Sequence, residues 1–306
     1  MKNIDKLISI YFYICQCYDT TLVVHCQRMS NNFRPNFTDQ EVLTIFFYCL
    51  LVEKRKEVKD IYDFADNYLR TWFPDMVTSY EGFLTRLNNL APVFPVLCSL
   101  LIEEKMQLLN PEKFMLYQGL FACTVDSMPI ILATGARSFS GKVAPEYCDK
   151  SYCASKKTHY YGLKFHVMGF RLFGTLPMPE YVGTTPASHN DLTVFKSHWE
   201  MLYNRAIFAD KAYGNAAFER WLREHNNLHI FTPVKKKKGQ KFLESADTFY
   251  SRAVSQVRQP IESFFNWIIE KVGIQKASKV RSEKGLMVHV YGRFAAAMML
   301  LAFDIF

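Results

Sequence analysis

Three acidic residues sit where side chains of their type could act together. Asp126 lies inside the apolar run Phe121-Ala122-Cys123-Thr124-Val125-Asp126-Ser127-Met128-Pro129-Ile130-Ile131-Leu132. An ionised carboxylate left unpaired in such surroundings is costly, so Asp126 must be neutralised, hydrogen-bonded or metal-bound. A second short apolar run, Arg205 to Ala209, delivers Asp210 just ahead of a turn containing Gly214. Glu262 stands in Arg258-Gln259-Pro260-Ile261-Glu262-Ser263-Phe264-Phe265. That segment reads as the opening of an amphipathic helix, with Pro260 at the first helical position and Arg258 just outside it. Two strand aspartates and one helix glutamate can converge on a pair of divalent cations, which points to phosphodiester chemistry.

The elements that must position these acids differ between the two parts of the chain. Residues 1–115 read as a helical domain. Thr38 to Glu41 has the form of a capping box, and the apolar residues from Val42 to Leu51 follow it on a broad helical face. Further helices are predicted over Val58 to Trp72, over Tyr80 to Leu90 with Ser79 as cap, and from the Pro92 and Pro95 region to Leu109. These helices could include a helix-turn-helix that binds DNA ends, or form a bundle with no ligand or one that serves dimerisation, and the net charge of −2 favours the last two. Residues 116–306 read as a second domain of α/β class. Strands are predicted over Leu116 to Leu132, Tyr160 to Leu172 and Leu176 to Thr185, then a helix over Asn190 to Tyr203. A strand over Ala206 to Ala209, a helix over Asn215 to His225, a strand over Leu228 to Val234 and the Glu262 helix follow. Three strands that can pair as an antiparallel meander, followed by alternating helices and strands, imply a mixed sheet with helices on both faces. If the first and fourth strands are neighbours, Asp126 and Asp210 can meet.

Charge separates the two parts in the same place. Residues 1–115 hold 12 Lys and Arg against 14 Asp and Glu, and residues 116–306 hold 25 against 15. Net positive charge around a small acidic centre suits a polyanion such as nucleic acid. Lys156, Lys157 and Lys164, with His159, flank the second strand. Lys235, Lys236, Lys237, Lys238 and Lys241 form the densest basic run, with Gly239 inside it, and read as a phosphate-contacting loop. Arg281, Lys276, Lys279 and Lys284 make another basic stretch. His189 and Asp191 lie near the end of the third strand. Asp191 is the rival to Glu262 as third acid, although helix capping is the commoner role.

Eight cysteines lack paired metal-ligand spacing and read mostly as reduced core residues, with a zinc site of Cys148, Cys153, His159 and His166 as the minor alternative. The apolar stretch Lys6 to Tyr18 has no small-residue cleavage site, and the run Phe294 to Phe303 is far shorter than the roughly 20 residues that span a bilayer. A soluble, intracellular protein without membrane contact is expected. Gly-x-Ser-x-Gly, His-Glu-x-x-His, the phosphate-loop motif and Gly-x-Gly-x-x-Gly are all absent, which removes most other enzyme classes.

The order of elements and the local motifs resemble the ribonuclease H-like catalytic domain of DDE transposases. The motifs are Thr124 to Pro129, Lys156 to His166, Ala209 to Tyr213 and Arg258 to Glu262. Phe37 to Val42 and Ser79 to Phe83 look similar to a bacterial insertion-sequence subgroup with an all-helical N-terminal region. Related transposases often carry Tyr-x2-Arg-x3-Glu-x6-Lys. Here Arg258 and Glu262 keep their spacing, while Ser255 and Ile269 stand at the Tyr and Lys places. The resemblance implies catalytic, metal-ligating roles for Asp126, Asp210 and Glu262, and nucleic-acid contact by Arg258. It also implies two Mg²⁺ ions, replaceable by Mn²⁺, and cleavage at the ends of an element followed by strand transfer into target DNA. Double-stranded DNA as partner, a homodimer in the DNA complex and a bacterial cytoplasmic, nucleoid-associated location follow from it. Two other functions use the same residues differently: a ribonuclease H-like nuclease that only hydrolyses, and a transposase-derived protein that only binds DNA.

Overall fold

The structure, a computed structural model, describes residues 3–26, 35–109, 115, 119–154, 156–172, 174–198 and 201–302. The chain divides into two compact units, Met1–Leu108 with Ile268–Phe306, and Leu109–Trp267.

The first unit is helical. It contains α1 (Ile4–Thr20), α2 (Asp39–Leu51), α3 (Val58–Tyr68), α4 (Tyr80–Asn89) and α5 (Val93–Leu108). The capping box at α2 is present: Glu41 N donates to Thr38 Oγ1 at 3.3 Å, and Thr38 N donates to Glu41 Oε2 at 2.5 Å. From Val42 to Leu51 every residue of α2 is buried, which makes it the central helix of the unit. Ser79 caps α4 as its spacing predicts, accepting from Gly82 N. The expected helix over Val58 to Trp72 ends earlier, at Tyr68, well before Pro74.

The segment from Ile268 belongs to this helical unit, whereas the sequence reading kept 116–306 together. Its apolar residues supply the reason. Phe294 to Met299 are fully buried, and α10 (Arg293–Ala302) packs on α5 and α2. Ahead of α10 come α9 (Glu283–Met287) and one π turn at Val288–Gly292. Gly292 packs tightly there, since a Cβ would come within 3.1 Å of Phe94 and 3.2 Å of Phe46 and the rings would have to give way. The continuous helix Glu283–Ala302 therefore reaches 20 residues, longer than the apolar run alone, and is long and apolar enough to cross a membrane; most of its apolar stretch is buried, as in a core helix.

The second unit is built on a six-stranded mixed sheet with helices on both sides. Its strands are β1 (Phe121–Thr134), β2 (Asp149–Cys153), β3 (Thr158–Phe170), β4 (Met178–Pro186), β5 (Arg205–Phe208) and β6 (Leu228–Phe231). β3 pairs antiparallel with β1 on one side, and shares its other side between β2 and β4. β1, β5 and β6 run parallel in that order. The antiparallel meander and the parallel extension match the sequence reading, although the predicted first strand begins at Leu116, outside the described residues. β2 is an addition. Its five residues, Asp149 to Cys153, carry no apolar alternation that marks a strand, and it exists by pairing with Thr158 to Gly162.

The helices of this unit are α6 (Asp191–Lys196), α7 (Ala216–Asn226) and α8 (Ser245–Val272), the last residues of α8 belonging to the helical unit. α6 is much shorter than the predicted Asn190 to Tyr203, part of which lies outside the described residues. The largest correction concerns α8. Pro260 does not open the helix but lies inside a 28-residue one, so Arg258 stands on the helix one turn before Glu262. Proline in a helix interior removes one backbone donor and normally costs roughly 3 kcal/mol. The buried face Ile261, Phe264, Phe265 and Ile268, at helical spacing, offsets that cost.

Candidate active site

Register brings the two aspartates together. Thr124 of β1 pairs with Phe208 of the parallel β5, and Asp126 and Asp210 each lie two residues further along. Neighbouring strands are about 4.8 Å apart, so Asp126, within β1, lies level with Asp210, just past the end of β5. Asp210 has extended backbone geometry and precedes a short turn of helix, yet its side chain makes no capping hydrogen bond. Its carboxylate is exposed and is not consumed by local structure.

Asp126 is tied to α8 through one guanidinium. Arg258 Nη1 donates to Asp126 Oδ2 at 2.8 Å, and Arg258 Nη2 donates to Glu262 Oε1. Asp126 Oδ1 also accepts from Ser127 N at 2.9 Å. Arg258 is thus the partner that the part-buried carboxylate requires, and it holds two of the three candidate acids from a helix position that the sequence reading placed outside the helix. Even so, the Asp126 carboxyl is pushed up to about 6. Burial is the main cause and outweighs Arg258 and the Ser127 amide; the negative charges of Asp210 and Asp191 push in the same direction. The site would accept further positive charge.

Asp191 has a role other than capping. Asn190 caps α6, accepting from Leu192 N and Thr193 N, which leaves the Asp191 carboxylate for the sheet. Asp191 Oδ1 accepts from Ser127 Oγ at 2.9 Å and from Lys164 Nζ at 3.1 Å. His166 Nδ1 lies 3.9 Å from the same oxygen, and His166 Nε2 is 2.8 Å from Thr185 Oγ1. Burial lowers His166 to about 4, so it is neutral at physiological pH. Ser127 therefore links the two acids, its amide on Asp126 and its hydroxyl on Asp191. The run around Asp126 had shown only a short polar residue there, with no signal that its hydroxyl faces Asp191.

The basic residues fall into two groups. Lys164 is committed to Asp191 and to the carbonyl of His189 at 2.8 Å, so it buttresses the acidic centre. Lys156, Lys157, Lys235, Lys236, Lys237, Lys238 and Lys241 are exposed. The loop carrying the last five is closed by Lys236 Nζ on the Lys241 carbonyl and by Lys237 N on Gln240 Oε1, with Gly239 at φ 85°.

Hard carboxylate oxygens suit a divalent cation. Among the described residues, however, no three His, Cys, Asp or Glu side chains are grouped so as to hold one. At Asp126 and Glu262 the reason is visible, since Arg258 lies between them. A cation bridging these two would compete with the guanidinium for the same oxygens. The zinc alternative finds no support, because Cys148 and Cys153 are buried and form part of no such group among the described residues.

The transposase DDE domain family matches residues 133–299, more than half of the chain. The chain belongs to the DDE transposase family. The match includes Asp210 and Glu262 and begins seven residues after Asp126. Membership gives this DDE transposase DNA as its partner and a divalent metal ion as the usual requirement of its family. No curated protein and no solved structure matches this transposase.

Proposed function

We propose that the Leu109–Trp267 unit is a ribonuclease H-like catalytic domain that cuts DNA at the ends of an insertion sequence and joins the freed 3′-hydroxyl to target DNA. Asp126, Asp210 and Glu262 are its catalytic acids and would hold two Mg²⁺ ions, with Mn²⁺ able to replace them. When bound, such ions would activate water for the cut and the freed 3′-hydroxyl for the joining step, and stabilise the leaving oxygen. The observation that carries the reading is the convergence on Arg258 of an acid from the first strand and an acid from the long helix, with Asp210 level with Asp126 by strand register. The sheet order supports the same fold assignment: an antiparallel meander extended by two parallel strands on the β1 side.

The chain's own residues have distinct tasks in this scheme. Ser127 and Lys164 hold Asp191, and through the Ser127 amide they fix the orientation of Asp126. Arg258 neutralises Asp126 and Glu262 while no DNA is bound. An arriving phosphate offers the guanidinium a bidentate partner, and its transfer to that phosphate frees both carboxylates. Lys156, Lys157 and the Lys235 to Lys241 loop take the flanking backbone phosphates. Two ends must be held together for transposition, so the active complex is a homodimer on double-stranded DNA, in the bacterial cytoplasm at the nucleoid.

The test uses labelled element-end duplexes with Mg²⁺ or Mn²⁺. Cut ends together with joined products are expected. Cut ends without joined products identify a nuclease that only hydrolyses, and binding without cutting identifies a DNA-binding protein alone.

A further inference from the structure

The helical unit carries a basic groove that plays no part in the acidic centre. It has a volume of about 280 Å³ and is lined on one side by the chain between α8 and α9 and on the other by α3 and α4. Lys276, Lys279 and Arg281 contribute from the strap, and Lys59 from α3. Glu57, the acid in the lining, lies 3.6 Å from Lys279. Across 271–284 the chain has five Lys or Arg residues and one acid, Glu283.

The strap is built to hold these cations in place. His289 Nε2 lies 2.8 Å from the Ile274 carbonyl, and Arg293 Nη1 donates to the Val272 carbonyl at 2.5 Å. Both side chains are buried and come from the π turn and the start of α10. Ile274 and Ala277 anchor the strap in the core, while Lys276, Ser278, Lys279 and Arg281 between and beyond them are exposed. The Arg281 guanidinium is steadied by the Ser278 carbonyl at 2.6 Å. Cations carried on an anchored backbone lose less conformational freedom on meeting a polyanion than those of the glycine-containing lysine loop do. Buried histidine and arginine side chains spent on anchoring a surface strap are costly for packing alone.

We propose that this groove is a second binding surface for the phosphodiester backbone of duplex DNA, located in the helical unit. The proposal rests on the reading of the protein as a DNA-acting transposase, but not on its three acids. Lys276, Lys279 and Arg281 take successive phosphates, and Ser278 donates to a phosphate oxygen. The contacts carry no base information, so the groove raises affinity for any duplex.

The experiment measures binding of the full chain to a duplex of arbitrary sequence by fluorescence anisotropy across a salt series. The K276E/K279E/R281E variant is expected to bind about tenfold or more weakly, with the slope of log affinity against log salt reduced by about 2 to 3. Because reversal at Lys279 meets Glu57, the milder K276Q/R281Q variant is measured beside it, with folding checked by circular dichroism; its slope should fall by about 1 to 2. Affinity within twofold of wild type and an unchanged slope in both variants overturn the proposal, as does tighter groove-dependent binding to duplex RNA than to DNA. Asp126→Asn separates this surface from the catalytic reading: its binding should keep the full wild-type slope. Strap-dependent DNA binding by a wild-type protein that never cuts DNA would sink the assignment of the acids and leave the groove standing.

Discussion

Asp126→Asn and Asp210→Asn should each abolish strand cleavage, lowering the rate by on the order of a thousandfold or more while DNA affinity changes little. Both substitutions keep size and hydrogen-bonding capacity and remove only the charge. At Asp126 the amide oxygen can still accept from Arg258, so a loss of activity reports loss of the carboxylate rather than collapse of the site. A second readout follows from the raised ionisation of Asp126. The unfolded chain releases this proton near the ordinary value of 3.8, and the folded chain holds it until about 6. Between those values the folded state carries the extra proton, so the stability contributed by this group falls as pH rises through the window and stays reduced above it. Asp126→Asn should lack that loss, which urea unfolding at pH 4 and pH 7 will reveal as a smaller difference than in wild type. A carboxylate retained at such a cost is consistent with use in chemistry.

Arg258→Ala is expected to act in the opposite direction on stability. It leaves Asp126 part-buried with only the Ser127 amide as a stabilising partner, and breaking a buried ion pair by removing one member costs about 3 kcal/mol or more. The side chain is 15% exposed, so part of that cost is screened, and a loss of about 2 kcal/mol at pH 7 is the expected figure. The Asp126 carboxyl should titrate above its present value of about 6. In the absence of DNA, Mn²⁺ should bind this variant more tightly than wild type, by about tenfold, because the guanidinium no longer competes for Asp126 and Glu262. Added Mn²⁺ should then recover part of the lost stability. Isothermal titration and thermal melts with and without Mn²⁺ measure both effects. Equal Mn²⁺ affinity in the two proteins would show that Arg258 does not stand in the way of a cation.

Much of this arrangement was legible before any coordinates. Asp126 announced itself because a charge within an apolar strand has few bland explanations, and the spacing of strands and helices led to a mixed sheet in which its neighbour carries Asp210. The capping box at Thr38 and the cap at Ser79 were readable because they depend on residues three apart in sequence. Local rules failed where distant parts of the chain decide. Pro260 is favoured at a helix start by its own geometry, yet the buried face from Ile261 to Ile268 carries the helix through it. β2 exists only because β3 is long enough to pair with two partners along one edge. Asp191 read as a cap from its position, and it was Asn190 beside it that freed the carboxylate to meet Ser127 and Lys164. The four-residue spacing of Arg258 and Glu262 was visible in sequence, but Pro260 put Arg258 outside the helix there, and its bond to Asp126 joins residues 132 apart.

The central claim, that Asp126, Asp210 and Glu262 serve one cation-binding centre, is tested most directly by anomalous scattering from Mn²⁺ in crystals of the protein bound to an element-end duplex. The account predicts Mn²⁺ peaks within about 2.0 to 2.4 Å of oxygens from all three side chains, with the Arg258 guanidinium moved onto a DNA phosphate. Mn²⁺ absent from these carboxylates while Arg258 still bridges Asp126 and Glu262 in a cleavage-competent complex would contradict it.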